Sequence, residues 1–186
     1  MIIIEKAKRI LETKELADGL KRYREIMDSL HCTNVSKNKD FQKVYRNFYR
    51  MNRFYSEEFA YGYFQIMEHL KTSPVISFEM ALERVKHIKG SYEISFSSKM
   101  AHTIDPELPV WDKIVTKDHF HINAPYTLHR NRERACCAKY EEYRRRFYVY
   151  LSSEEGQALA SLFDEAYPNS GISDVKKVDF ILWQDR

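Results

Sequence analysis

Apolar residues recur at intervals of three and four along nearly the whole of this 186-residue chain, and little interrupts them. Over residues 2–30 the stripe is Ile3, Ile4, Ala7, Ile10, Leu11, Leu16, Leu20, Tyr23, Ile26, Met27 and Leu30, the spacing that lines one face of a helix. One long helix, or two broken near Gly19, would present it. Only five glycines and five prolines punctuate the chain, under half the roughly 12% of an average protein. Sandwiches and barrels need a turn every ~8–12 residues, so the composition speaks against an all-β fold. The expected class is all-α, a compact multi-helix domain over residues 1–186. A hydrophobic content of 44% argues against disorder. A chain of this length buries roughly 70% of its unfolded surface, enough to need neither disulfide nor metal for stability.

The stretch His31–Asn38 reads as a loop. Phe41, Val44, Tyr45, Phe48, Tyr49, Met51 and Phe54 then make an aromatic helical face backed by Lys43, Arg46, Arg50 and Arg53. Two readings fit it: a core face with a solvated back, or a stacking and cationic surface for nucleic acid. Ser56 is placed to cap a helix through Leu70, and Ser77 opens another that ends at Gly90. Ser91 is expected to cap the next, which runs to Ile104 and is stopped by Asp105-Pro106. A short helix from about Pro109 to His119, a charged helix over Arg132–Leu151 and a helix from Ser153 towards Pro168 follow. Residues 172–183 fit a helix through Val175, Val178, Ile181 and Leu182, or a strand over Val178–Trp183; helix is preferred because no partner strand is evident.

Thirty Lys and Arg against 27 Asp and Glu give a net charge of +3, which permits an anionic partner without requiring one. Arg130, Arg132, Arg134, Lys139, Arg144, Arg145 and Arg146 concentrate positive charge, with Glu141–Arg145 and Glu142–Arg146 spaced for pairing along a helix. Cys32, Cys136 and Cys137 form an odd set with a vicinal pair, which reads as reduced thiols of a cytoplasmic protein. The apolar run at the start is too short for a signal peptide, and no window is long enough to span a membrane, so no membrane partner is expected. His102, His119 and His121 have neither the spacing nor a cysteine partner for a metal site. No phosphate-loop, dinucleotide or nucleophile-elbow motif is present, so no cofactor is expected. Nothing in the sequence names a protein partner.

Residues 85–118 carry more: a helix, a glycine turn, a helix, and a proline-bounded loop ending in Pro109-Val110-Trp111-Asp112. Here the chain resembles the helix-hairpin-helix DNA glycosylase superfamily, and within it the small 8-oxoguanine-glycosylase-like proteins. The matching parts are a hairpin-like element over 78–104 and the Pro-x-x-Asp segment over 109–119. The resemblance implies DNA as partner, DNA repair by excision of a modified base as the activity, and Asp112 as the catalytic carboxylate. Such chemistry flips a base out of the stack and builds positive charge on the sugar, which a carboxylate stabilises. It also implies backbone contacts from Lys89, Gly90, Ser91 and Lys99, with Arg144 and Arg145 as further phosphate contacts.

Bifunctional relatives carry a nucleophilic lysine at the start of the hairpin's second helix. The position 19 residues before Asp112 is Glu93, which points to a monofunctional enzyme using water, with Glu93 lining the pocket or placing that water. Lys99, six residues on, is the other nucleophile candidate, although it projects roughly 240° away from the Glu93 direction. Both acids also fit as ordinary first-turn residues of a helix. The superfamily's turn has two glycines, and Ile88-Lys89-Gly90-Ser91 retains one. A non-catalytic nucleic-acid- or protein-binding module on the same helical scaffold is the alternative function.

Overall fold

The computed structural model describes residues 3–51, 56–126 and 130–185, and all regular structure among them is helical. In chain order the helices are α1 (Ile4–Leu11), α2 (Lys14–Leu30), α3 (Lys39–Phe48), α4 (Glu57–Leu70), α5 (Phe78–Lys89), α6 (Ile94–Ile104), α7 (Arg132–Leu151), α8 (Glu154–Ala166) and α9 (Asp174–Gln184), with a π-helical segment at Ile114–His119. Among the described residues no helix is long and apolar enough to cross a membrane. The chain divides into two compact units, residues 1–17 with 106–186, and residues 18–105.

Helix starts follow local side-chain chemistry. Asn38, Ser56, Ser77, Ser153 and Ser173 each accept a hydrogen bond from the backbone N–H three residues on, satisfying a donor that the first turn leaves free. Three expectations need correction. The break in the first stripe falls at Glu12-Thr13 and not at Gly19, which lies inside α2. The Thr13 hydroxyl donates to Ile10 O (2.7 Å) and accepts from Leu16 N (3.2 Å), closing one helix and opening the next. Ser91 does not cap α6: its hydroxyl is taken by Glu93 Oε1 (2.7 Å), and the helix starts at Ile94 with Glu93 in the cap position. Residues Pro109–Trp111 are not helical; the turn begins only after Asp112.

In the unit of residues 18–105, α5 packs on α6 and both pack on α4. The aromatic face of α3 is core: Phe41 and Tyr45 are buried, while Lys43 is exposed and Arg46 pairs with Glu57 at 3.3 Å. Phe54, expected on the same face, and Arg53, expected behind it, lie outside the described residues. Tyr45 meets Phe64 edge-on at 5.5 Å, and its hydroxyl is bonded to that of Tyr63 (3.0 Å), which reaches Phe96 O (2.8 Å). Burying tyrosines at this density requires such partners for their hydroxyls.

Gly90 ends α5 in the left-handed conformation, φ +77°, with open space where a Cβ would be. Gly90→Ala is therefore expected to cost about 1–2 kcal/mol through backbone strain alone, with Gly90→Asn costing less. Urea unfolding of the two variants would check this; equal stability of Ala and wild type would contradict it.

In the other unit, α9 packs against α7, α8, α1 and the π-helical segment. Residues Val175–Leu182 are all buried, so this helix is enclosed on every side. That explains its strand-like sequence, since an enclosed helix needs no polar stripe. Its charges are paired: Lys176 Nζ lies inside, 2.6 Å from Asp179 Oδ2 and 4.5 Å from the Phe180 ring centre, and Lys177 reaches out to bridge the exposed Asp164 and Asp174 at 2.8 Å each. At its C-terminal end, Asp185 pairs with Lys6 of α1.

His119 Nε2 is bonded to Leu182 O (3.0 Å) and lies 3.7 Å from Asp185 Oδ2. Burial lowers the His119 pKa below its ordinary value, against the opposing pull of Asp185 and the Leu182 carbonyl. The fold thus favours the neutral ring. Its contribution is full above the unfolded value of about 6.5 and is lost as pH falls below it, towards the depressed folded pKa. Between about pH 7.5 and 5.5 the wild type should lose more thermal stability than His119→Gln; equal losses would contradict the assignment.

Candidate functional site

Asp112 stands where an irregular stretch meets the π-helical segment. Its Oδ1 accepts from Ile114 N (2.9 Å), and its backbone carbonyl accepts from Thr116 N and Thr116 Oγ1, both at 2.8 Å. The second carboxylate oxygen, Oδ2, accepts no hydrogen bond from a described residue, and the side chain is half-buried. Asp112 thus has one oxygen tied to the backbone and one available. Its chain neighbours Val110 and Trp111 are each 4% exposed, so the backbone leading into Asp112 is anchored in the core. A π-helical turn adds a residue to the helical repeat and re-aims side chains, and such turns occur frequently at functional sites.

The stretch leading to Asp112 has its carbonyls held by side chains. Pro106 O accepts from Ser173 Oγ (2.9 Å), Glu107 O from Tyr148 OH (2.6 Å), Pro109 O from Tyr140 OH (2.9 Å) and Val110 O from Tyr143 OH (3.1 Å). Helix α7 and the start of α9 thus fix an otherwise irregular strand of backbone, meeting the requirement that buried carbonyls be paired. Sequence reasoning missed these hydroxyls. Tyr140 and Tyr143 fit the apolar side of a charged helix, and no local signal ties them to carbonyls 31 and 33 residues away.

The candidate residues of the hairpin-like element, Lys89, Gly90, Ser91, Glu93 and Lys99, sit in the unit of residues 18–105. Lys89 and Gly90, at the end of α5, are exposed, and Ser91 and Glu93 are half-buried in the connection to α6. The Lys89 ammonium lies 5.1 Å from the Phe59 ring centre, a cation–π distance. Glu93 accepts from Ser91 through its side chain and from Ser97 Oγ (2.8 Å) through its backbone carbonyl, so it organises the first turn of α6. Lys99 is 8% exposed. Its ammonium lies 3.4 Å from Tyr49 O and within 6 Å of the Tyr49 and Phe96 ring centres, at 5.9 and 5.8 Å. On the same face of α6, buried His102 is hydrogen-bonded to Tyr23 OH at 3.1 Å.

On α7, Arg144 grips Glu141 with two nitrogens (2.8 and 2.9 Å), while Arg146 and Lys139 share Glu142 at 2.6 and 2.7 Å. The expected Glu141–Arg145 pair is therefore replaced by Glu141–Arg144. Arg145 is exposed and makes no ion pair with a described residue. Among the described residues no three His, Cys, Asp or Glu side chains are grouped to hold a metal ion. No protein-family model, curated protein or solved structure matches the chain.

Proposed function

We propose that the protein is a glycosylase-like helix-hairpin-helix protein that binds DNA and excises a modified base monofunctionally, with Asp112 as its catalytic carboxylate. The observation that carries this reading is the half-tied carboxylate of Asp112, held by Ile114 N–H through Oδ1 and open at Oδ2, between buried Val110–Trp111 and a π-helical turn. The glycine-turned pair α5–α6 supports the DNA-binding part, with Lys89 exposed at the turn as a cation for a phosphate.

In the proposed step a water oxygen bonds to the sugar C1′ as the C1′–N bond breaks and its electron pair leaves with the base. Asp112 takes a proton from the water and stabilises the positive charge that develops on the sugar. The departing base takes a proton from solvent, and Asp112 later returns its own to solvent. Water is assigned as nucleophile because the Lys99 ammonium is engaged with Tyr49 and Phe96, and Glu93 is engaged in starting α6.

The test is to incubate the protein with duplexes carrying oxidised, deaminated or alkylated bases and to measure free base by chromatography, alongside DNA affinity at several salt concentrations. Release from at least one duplex and an affinity that falls with salt are expected. The engagement of Glu93 and Lys99 within their own helix and core favours one second reading, a non-catalytic binding module. Saturable binding with no base released from any duplex would select it.

A further inference from the structure

The hydroxyls that hold residues 106–110 do not act equally on Asp112. Tyr143 is fully buried and meets the Asp112 turn on both sides. Its hydroxyl donates to Val110 O (3.1 Å). Its ring stands edge-on to Trp111 at 5.6 Å upstream and to Phe120 at 5.5 Å downstream. We infer that Tyr143 is the positioning residue of the Asp112 turn, fixing the backbone before and after the carboxylate so that Asp112 keeps its direction when substrate binds. This rests on the proposed glycosylase reading.

Two further observations bear on it. Burial raises the Tyr143 phenol well above its ordinary pKa, and the negative charges of Asp179 and Asp112 push the same way, so the hydroxyl stays protonated and donating. Asp112 therefore acts electrostatically on the residue that orients it. Behind this cluster, Asp179 is neutralised by Lys176 at 2.6 Å, which limits the build-up of negative charge near Tyr143. A carboxylate displaced by about 1 Å loses rate on the order of 100-fold, so a buried anchor of this kind has a catalytic consequence beyond stability.

The test uses Tyr143→Phe, which removes one oxygen and keeps the ring, with Tyr167→Phe as control. Tyr167 also donates to a carbonyl, Leu11 O at 2.7 Å, but takes no part in the Asp112 turn. Two quantities are read: hydrogen exchange at the Ile114 amide, whose acceptor is Asp112 Oδ1, and kcat and KM on whichever duplex carrying 8-oxoguanine, uracil or 3-methyladenine the wild type processes. Tyr143→Phe is expected to speed Ile114 exchange and to lower kcat by about tenfold or more, with KM within about twofold. Tyr167→Phe should do neither. If the wild type is active and either quantity in Tyr143→Phe matches the control, the inference is overturned while the glycosylase reading stands. If the wild type releases no base from any of the three duplexes, the glycosylase reading falls. Ile114 exchange then decides Tyr143 alone: faster exchange retains it as the anchor of Asp112, and unchanged exchange removes it.

Discussion

Lys176→Met is expected to destabilise the protein by about 3–5 kcal/mol, the cost of leaving a buried carboxylate without its cation. Asp179 is 4% exposed and Lys176 3%, and their 2.6 Å contact lies on a helix enclosed along Val175–Leu182. Methionine keeps most of the length and the packing against Phe180 but removes the charge. Lys176→Met combined with Asp179→Leu should recover most of the loss, because an apolar pair of similar volume needs no desolvation of ions. Thermal melts would show the single variant lower by about 10 °C and the double variant near wild type. A single variant as stable as wild type would mean that Asp179 is compensated by other groups and that the pair does not hold α9 in place.

Asp112→Asn is expected to leave the fold intact and to lower base release by about 100- to 10,000-fold, the range for losing a general base. The substitution is discriminating because the side-chain oxygen of asparagine can still accept from Ile114 N–H, so the bond to the backbone survives. What is lost is the negative charge and the proton acceptor at Oδ2. Unfolding by urea should place the variant within about 1 kcal/mol of wild type. Undiminished release by a folded Asp112→Asn protein would separate Asp112 from the chemistry.

Short-range features of the fold were readable from the sequence, and features joined across long stretches were not. Ser56, Ser77 and Ser153 cap helices as expected, because a cap and its N–H partner lie three residues apart. Gly90 takes the left-handed turn for an equally local reason. Ser91 carried the same signal and did not cap, since the carboxylate of Glu93 two residues on competed for its hydroxyl. Residues 172–183 looked half like a strand because Lys176 and Asp179 solve their charge inside the core instead of marking a wet face. At the candidate site, Asp112 and its proline-bounded approach stood out in the sequence. The partners that hold the approach, Ser173, Tyr140, Tyr143 and Tyr148, lie on helices far along the chain and pair with main-chain carbonyls, which any residue type supplies.

The measurement that tests the central claim most directly is the fate of the DNA strand. Wild-type protein is incubated with end-labelled duplexes containing a single oxidised, deaminated or alkylated base, and the products are resolved on denaturing gels with and without hot alkali. A water-using glycosylase built on Asp112 should leave at least one strand intact until alkali cleaves it at the vacated position, and borohydride should trap no protein–DNA adduct. Strands that resist alkali in every duplex would contradict base excision, and cleavage without alkali together with a trapped adduct would contradict the assignment of water as nucleophile.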